Sequence, residues 1–445
     1  MQAPPDPHSH YHVHVGELGQ RYAAAAARGG FDALVIGSGI IQYRFLDDQP
    51  HRYVASPHFL QWVPLQEHPG SAIIAAGGRR PVLVILQPED YWHQPPALPE
   101  AAVAAEFDVR VIRDAADLGQ HLPVAGLRTA LLGPPEQWDG LLPDAPRNPD
   151  TVVNYLHFQR ARKTDWEVAC IRRAAALAAP GHHAAEAAFR AGGTEYDILN
   201  AFLAGCRQTE QELPYGAIVA LNEHGATLHY QHRDREAHKP RDIHSLLIDA
   251  GCACNGYACD ITRTHAYRED EFSRMVADMD RLQQELCAAV RPGISFPQLH
   301  RRTHQALAEL LRHWGIAPHM DPQDMVTAGV TLAFFPHGLG HLLGIQVHDV
   351  GGHMADDTGA PLPAPADFPK LRFLRTLEPG HIVTVEPGIY FIDALLDRLR
   401  SGPASGEIDW ERVAQLKKFG GIRVEDDVLV TATGAETLTR PLLAG

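Results

Sequence analysis

The stretch SLLIDAGCACNGYACDITRT, residues 245–264, decides how this chain arranges its chemistry. Asn255-Gly256 between two apolar runs is the strongest short signal for a hairpin with a two-residue turn. Such a turn pairs Cys254 with Tyr257, so cross-strand partners sum to 511, Asp249 faces Thr262 and Gly251 faces Asp260. Side chains alternate along a strand, so Asp249 and Asp260 project from one face as diagonal neighbours, their backbones ~7–8 Å apart. A bulge would change that parity. Leu246, Leu247 and Ile248 run straight into Asp249, which places this end of the strand in a core. Two carboxylates buried on one face resist ionisation unless a positive centre lies between them.

Further along, FFPHGLGHLLGIQVHDVGG (334–352) sets His337, His341 and His348 beside five glycines and Asp349. Neutral imidazole ligates transition metals, and glycine lets a backbone approach closely. In a chain with 27 histidines such a run alone has ordinary explanations. Its acidic company carries the argument. Glu386, in HIVTVEPGIYF, and Glu425, in GGIRVEDDVLV, follow or interrupt apolar strand runs. A lone buried glutamate is costly, so each reads as a ligand or as one half of a pair. Arg423, two residues from Glu425 on the same strand face, is the alternative partner. Asp, Asp, His, Glu and Glu form an oxygen-rich set with one nitrogen, suited to harder divalent ions: Mn²⁺ first, with Zn²⁺ or Co²⁺ also accommodated. Two ions ~3.5–4 Å apart share a hydroxide nucleophile and polarise a carbonyl, which implies hydrolysis of an amide or ester-like bond.

The whole chain agrees with a hydrolase of two or three domains, since 445 residues exceed one ordinary core. A net charge of −15 argues against binding nucleic acid through its phosphates. No apolar run reaches the ~18–20 residues that span a bilayer, and MQAPPDPHSHYHVHV lacks the basic and apolar regions of a leader. A cytoplasmic location with reduced cysteines is expected. Cys252, Cys254 and Cys259 read as small buried strand residues, with a thiolate zinc set as the alternative. His8, His10, His12 and His14 would share a face if extended, but they are read as a solvated end before a helix over 17–28.

Residues 17–150 alternate helical and strand signals, an α/β pattern of about five strands ending in the linker-like LPDAPRNPD. Helices are expected over 164–192, capped by Thr164 or Asp165 and ended or kinked at Pro180-Gly181, and over 194–206, 270–290 and 295–314. The acids and histidines fall instead on strand runs, giving a sheet with a site on one face and helices on the other.

Asp249 in LLIDAG, Asp260 in YACDITRT, His341 in HGLGHLLG, Glu386 in TVEPG and Glu425 in RVED resemble, in order and flanking words, the metal ligands of the pita-bread metallopeptidases. That group includes methionine aminopeptidase, aminopeptidase P, prolidase and creatinase. PHGLGHLLGIQVHDVGG, VEPGIYFID and LHYQH look most like the bacterial Xaa-Pro dipeptidases, and the likeness spans essentially the whole chain. It implies a creatinase-like α/β domain over 1–157, then a pita-bread domain over 158–445 with a curved, mainly antiparallel sheet backed by helices. It implies two divalent ions per chain: Asp249 and Asp260 on one, His341 and Glu386 on the other, with Asp260 and Glu425 bridging. Glu386 would serve as acid/base and His348 and His337 would act on the substrate. His229, Tyr215 and Arg423 would line its pocket, and Arg372 or Arg375 would hold a C-terminal proline carboxylate. The substrate would be an Xaa-Pro dipeptide, with phosphotriester hydrolysis or aminopeptidase P activity as alternatives. A metal-free binding protein on the same fold, as creatinase shows for the scaffold, is the alternative from another class. A homodimer is implied, with the N-terminal domain capping the partner's site near Asp47 and Trp62. The chain departs from the family at its three hairpin cysteines, in YQHRDREAHKPRDIH, and at QPHRY after RFLDD.

Overall fold

Short apolar runs bounded by turn residues make the first sheet. In the computed structural model, which describes residues 10–122 and 126–443, these runs are β1 (Ala33–Gly37), β2 (Ala72–Ala76), β3 (Val82–Leu86), β4 (Asp108–Ile112) and β5 (Thr129–Leu132). They lie in the order β4-β3-β2-β1-β5, with β1–β2 and β2–β3 antiparallel and β1–β5 and β3–β4 parallel. The five expected strands are present. Val35, Ile74, Val84, Ile112, Leu131 and Trp138 form the core of one face.

The chain divides into two compact units. One comprises Met1–Cys170 with Cys254–Tyr257 and Met354–Pro361, and the other Ile171–Ala253, Ala258–His353 and Leu362–Gly445. Residues beyond 158 stay with the first unit for a visible reason. His14 Nδ1 lies 2.8 Å from Thr164 Oγ1, and Glu167 accepts from Tyr257 Oη at 2.8 Å and from Gln61 Nε2 at 3.3 Å. The first helix, Tyr11–Gly29, starts six residues before the expected 17, so His12 and His14 are helical rather than extended. His14 is buried, with Nε2 2.7 Å from the Gln61 carbonyl, while His8 lies outside the described residues.

Among the described residues the sheets of the second unit pair antiparallel, as expected. β6 (Ile218–Leu221), β7 (Ser245–Asp249) and β10 (Thr262–Ala266) form one sheet. The two-residue strands β8 (Ala253–Cys254) and β9 (Tyr257–Ala258) form the hairpin end. β11 (Ile382–Val385), β14 (Asp426–Val430) and β15 (Ala435–Thr437) form another sheet, and β12 (Gly388–Tyr390) pairs with β13 (Gly421–Arg423). A bridge from Thr262 to Glu425 ties the first of these to the chain between β13 and β14. The helix Glu271–Ala289 packs on β10, β11, β13 and β15. Beside it, Phe296–His313 buries Phe296, Leu299, His300, Thr303, Leu307 and Leu311, a helical stripe.

Thr164 caps the helix Asp165–Arg190, exchanging bonds with Glu167. That helix runs through Pro180, so the end expected as one outcome there does not occur. The lost backbone donor is offset by packing: Gly181 sits under Phe202, and His182 Nε2 lies 2.9 Å from the Ala250 carbonyl. The helices Glu195–Cys206, Glu271–Ala289 and Phe296–His313 fall within a residue or so of expectation.

Candidate active site and metal centre

The hairpin keeps its expected register. Asn255 and Gly256 have φ of 53° and 86°, the left-handed pair that a tight hairpin turn requires. Asp249 pairs with Thr262, Cys259 N donates to Cys252 O at 3.0 Å, and Ala250 N to Ile261 O at 3.0 Å, all with numbers summing to 511. No bulge intervenes. The two aspartates therefore share a face, and Tyr215 Oη meets both, 2.9 Å from Asp249 Oδ1 and 2.6 Å from Asp260 Oδ1.

The histidine run reaches the same place by pairing with β11. Glu386 N donates to Leu339 O at 2.8 Å, Thr384 N to His341 O at 3.0 Å, and Leu343 N to Ile382 O at 3.0 Å. Glycine is required at 340, where a Cβ would strike the Thr384 carbonyl. His341 Nδ1 donates to the Leu342 carbonyl at 3.0 Å, which leaves Nε2 as the free nitrogen, the tautomer a metal ligand needs. That Nε2 lies 3.5 Å from Asp260 Oδ2 and 3.8 Å from Glu386 Oε1. Glu425 arrives through the Thr262 bridge, its Oε2 accepting from Thr262 Oγ1 at 2.6 Å. Ligand atoms of Asp260, His341 and Glu425 all lie within 4.8 Å of one another, and among the described residues no cysteine joins such a group. None of the three hairpin cysteines is in a disulfide, Cys252 and Cys259 being buried and Cys254 partly so.

Electrostatics here is that of too much negative charge. Burial, then Asp260, Glu386 and Asp249, push the Glu425 carboxyl well above its ordinary range. Burial raises Glu386 to about 7 against the pull of His341 and Arg423. Burial also raises Asp249, opposed chiefly by Arg423. Burial raises Asp260, but the neighbouring His341 imidazole and the Tyr215 hydroxyl outweigh it and leave the carboxyl below its ordinary value. Four carboxylates thus face one fixed cation, Arg423, and an oxygen-rich donor set of this kind fits divalent metal.

Arg423 departs from expectation. Its guanidinium does not pair with Glu425 and is not open to substrate. Nη2 donates to Asp249 Oδ2 at 2.6 Å, Nη1 to Tyr390 Oη at 3.0 Å and Nε to Thr262 Oγ1 at 3.1 Å, with the residue buried. Arg375 is also buried, donating to Glu378 at 2.9 Å. Arg372 is exposed, and its charge is felt at His348. His348 is exposed and stands edge-on to His341, ring centres 4.4 Å apart. Burial, then His341 and Arg372, lower it to about 4. His337 has both nitrogens engaged, Nδ1 by the Gly338 carbonyl and Nε2 by Tyr390 Oη, each at 2.8 Å. His229 is exposed, close enough to influence both.

Two residues of this site escaped the sequence reading. Tyr390 lies on the face of Glu386 by period-two spacing, a signal present in VEPGIY. Asp427 accepts from the Asp260 amide at 3.1 Å, and nothing in RVEDD distinguishes it from a surface acid. In the first unit, Trp62 is buried in the core with Tyr11 Oη donating to its carbonyl, so it does not offer the expected capping surface. Asp47 is exposed.

Comparison with known proteins places this geometry. Residues 169–432 match the model of metallopeptidase family M24, and residues 9–158 that of the Xaa-Pro dipeptidase N-terminal domain. The Xaa-Pro dipeptidase of Stenotrophomonas maltophilia (strain R551-3) is 46% identical over 440 residues, covering 99% of this chain and 98% of its own. That of Shewanella woodyi is 41% identical over 432 residues, with 97% and 98% covered. Among solved structures, proline aminopeptidase P II from Yersinia pestis superposes with a TM-score of 0.73 at 25% identity, covering 97% of this chain and 96% of that one. Zn-substituted E. coli aminopeptidase P in complex with product gives 0.71 at 25%, with 96% and 95% covered.

Proposed function

This chain belongs to metallopeptidase family M24, and from that premise we propose that it is an Xaa-Pro dipeptidase with a dinuclear centre. Its chain carries an α/β N-terminal domain and then the pita-bread fold, and its chemistry is metal-dependent peptide hydrolysis. The observation that carries the finer reading is the convergence of Asp249, Asp260, Glu386, Glu425 and the free nitrogen of His341. We place the domain boundary at 157/158. In our assignment Asp249 and Asp260 would hold one divalent ion, and His341 and Glu386 a second, with Asp260 and Glu425 placed to serve either, and Mn²⁺ would be preferred over Zn²⁺ or Co²⁺. Bound ions supply Lewis acidity and a nucleophile at neutral pH.

The protein's own residues then have distinct tasks. Glu386, its carboxylate 3.8 Å from His341 Nε2 and 3.6 Å from His337 Nδ1, is placed to take a proton from the attacking water and return it to the departing proline nitrogen. His348, uncharged at neutral pH, donates an N–H toward the developing oxyanion. His337 is held rigid by two partners and acts as a wall of the pocket. Tyr215 fixes the two aspartates, and His229 lines the entrance. Of the two arginines considered, Arg372 takes the proline carboxylate, because Arg375 is committed to Glu378. That capture of a free carboxylate selects dipeptides. A homodimer accords with Phe45 and Leu46, each 91% exposed, and with exposed Tyr91 and Trp92. A cytoplasmic location accords with six free cysteines.

Metal-depleted protein resupplied with Mn²⁺ and offered Ala-Pro, Ala-Pro-Ala and a phosphotriester tests this. Turnover of Ala-Pro well above the other two is expected. Preferred cleavage of Ala-Pro-Ala would transfer the assignment to aminopeptidase P, and preferred phosphotriester hydrolysis to a phosphoesterase. No turnover and no bound metal would leave a binding protein.

A further inference from the structure

Glu195 opens the helix Glu195–Cys206, a position where an acid ordinarily stays in water and favours the helix dipole. Here it is fully buried. Capping does not explain that burial, because Thr194 and Asp197 already exchange the reciprocal bonds of a capping box. A buried carboxylate is tolerated where donors meet it, and the donors that meet Glu195 come from outside its helix. Oε1 accepts from Leu221 N at 2.9 Å and lies 2.7 Å from His224 Nδ1, while Oε2 accepts from Asp234 N at 2.8 Å. Tyr196 N, one residue on, donates to Asp234 O at 3.1 Å. One carboxylate therefore holds both ends of the segment 222–234.

Beyond the 3₁₀ turn Asn222–Ala226 that segment forms no helix or strand. Inside it the His224 ring stacks on Tyr230, with centres 4.6 Å and planes 20° apart. Tyr230 is buried, and its neighbour His229 is exposed. Contact thus runs from Glu195 to His224 to Tyr230, and Tyr230 adjoins His229. Gln231 Nε2 also reaches back to Gly216 O at 2.9 Å, beside Tyr215. β6 has independent support, since it pairs with β7 over Ile218–Leu221. Tyr215 and the two aspartates accordingly keep their places without Glu195.

We propose that Glu195 is a positioning residue for substrate capture, clasping the segment 222–234 and thereby aiming His229 at the pocket entrance. None of its bonds goes to a metal ligand. The effect on substrate rests on the dipeptidase reading. The clasp itself does not. In Glu195→Gln one oxygen becomes an NH₂ group, which cannot accept. Either Asp234 N or the pair Leu221 N and His224 Nδ1 then faces a donor, and a buried donor left unsatisfied loosens the segment at that end.

The test compares full-length, Mn²⁺-loaded wild type with Glu195→Gln. KM for Ala-Pro should rise roughly tenfold or more, with kcat and bound Mn²⁺ nearly unchanged. On a His229→Ala background the same substitution should add little, because the two residues act on one step. Hydrogen exchange should quicken at the amides of Leu221 and Asp234 and stay slow across the Asn255-Gly256 hairpin. Should Glu195→Gln fail to fold, His224→Ala removes one contact from a partly exposed side chain and should raise KM in the same sense, by less. A loss of kcat or Mn²⁺ at unchanged KM, a full KM increase on top of His229→Ala, an unmoved KM in His224→Ala, or unchanged exchange at Asp234 would overturn the proposal. If wild type fails to cleave Ala-Pro, the peptidase reading is lost, yet exchange at Leu221 and Asp234 still decides the clasp.

Discussion

In the first unit β1 buries Ala33, Leu34, Val35 and Ile36 completely, and no strand of its sheet buries a carboxylate. In the second, β14 buries Asp426 and Asp427 beside Val428, with Glu425 just before it and Asp260 on the neighbouring hairpin. Both sheets come from the same kind of apolar run. The difference is that apolar burial stabilises by itself, whereas buried carboxylates need counter-charge. Asp426 has it from Arg263 at 2.7 Å and from Arg440. Among the described residues the cluster of Asp249, Asp260, Glu386 and Glu425 has Arg423 as its one fixed cation, so the second unit carries a demand for cations that the first sheet lacks.

The sharpest way to break that contrast is to remove one member from each sheet. Asp260→Ala should abolish tight metal binding and lower kcat/KM roughly 10³-fold or more, as several kcal/mol of Lewis-acid stabilisation vanish. Leu131→Ala should lower stability by about 2–5 kcal/mol through its cavity and leave kcat and metal content unchanged. Dipeptide turnover that survives Asp260→Ala would sink the dinuclear assignment. A smaller effect is expected where a protein cation orients the cluster. Arg423→Lys keeps a charge but cannot serve Asp249, Tyr390 and Thr262 together. It should weaken metal affinity or activity about 10–100-fold, read by metal titration. Unchanged affinity would make Arg423 a mere packing residue.

The contrast also explains what was legible beforehand. The hairpin register followed from Asn255-Gly256 alone, because turn geometry and period-two alternation are local. His341, Glu386 and Glu425 were found as buried-strand polar residues with recognisable flanking words. Partners were harder. Strand spacing offers Arg423 as the alternative partner of Glu425, but its side chain crosses to Asp249 on β7, a tertiary choice that alternation along one strand cannot encode. Asp427 looks like any acid until the Asp260 amide is brought to it. Pro180 reads as ending or kinking its helix, and the helix continues past it with Gly181 packed under Phe202, a contact made by another element. Trp62 was assigned to a surface that its burial denies.

The smallest expected effect isolates the charge excess itself. In metal-free protein, Glu386 binds a proton up to about 7, whereas in the unfolded chain it releases it near its ordinary 4.5. Across that window the native state holds more protons, so this group's contribution to stability declines as pH rises. Other groups act oppositely: His337 and His348, lowered to about 3 and 4, hold fewer protons when folded, so their contributions rise with pH up to their ordinary 6.5. A raw Tm profile therefore mixes signs. The difference between metal-free wild type and metal-free Glu386→Gln isolates what depends on Glu386, its own proton together with its pull on His341 and Glu425, because glutamine does not titrate. The Tm of wild type minus that of Glu386→Gln should fall between pH 4.5 and about 7 and then level off. Added Mn²⁺ should reverse the fall, since an ion then supplies the positive charge that the proton had supplied. A flat difference would mean that Glu386 is ionised throughout, and that Arg423 with His341 already satisfies the cluster without metal.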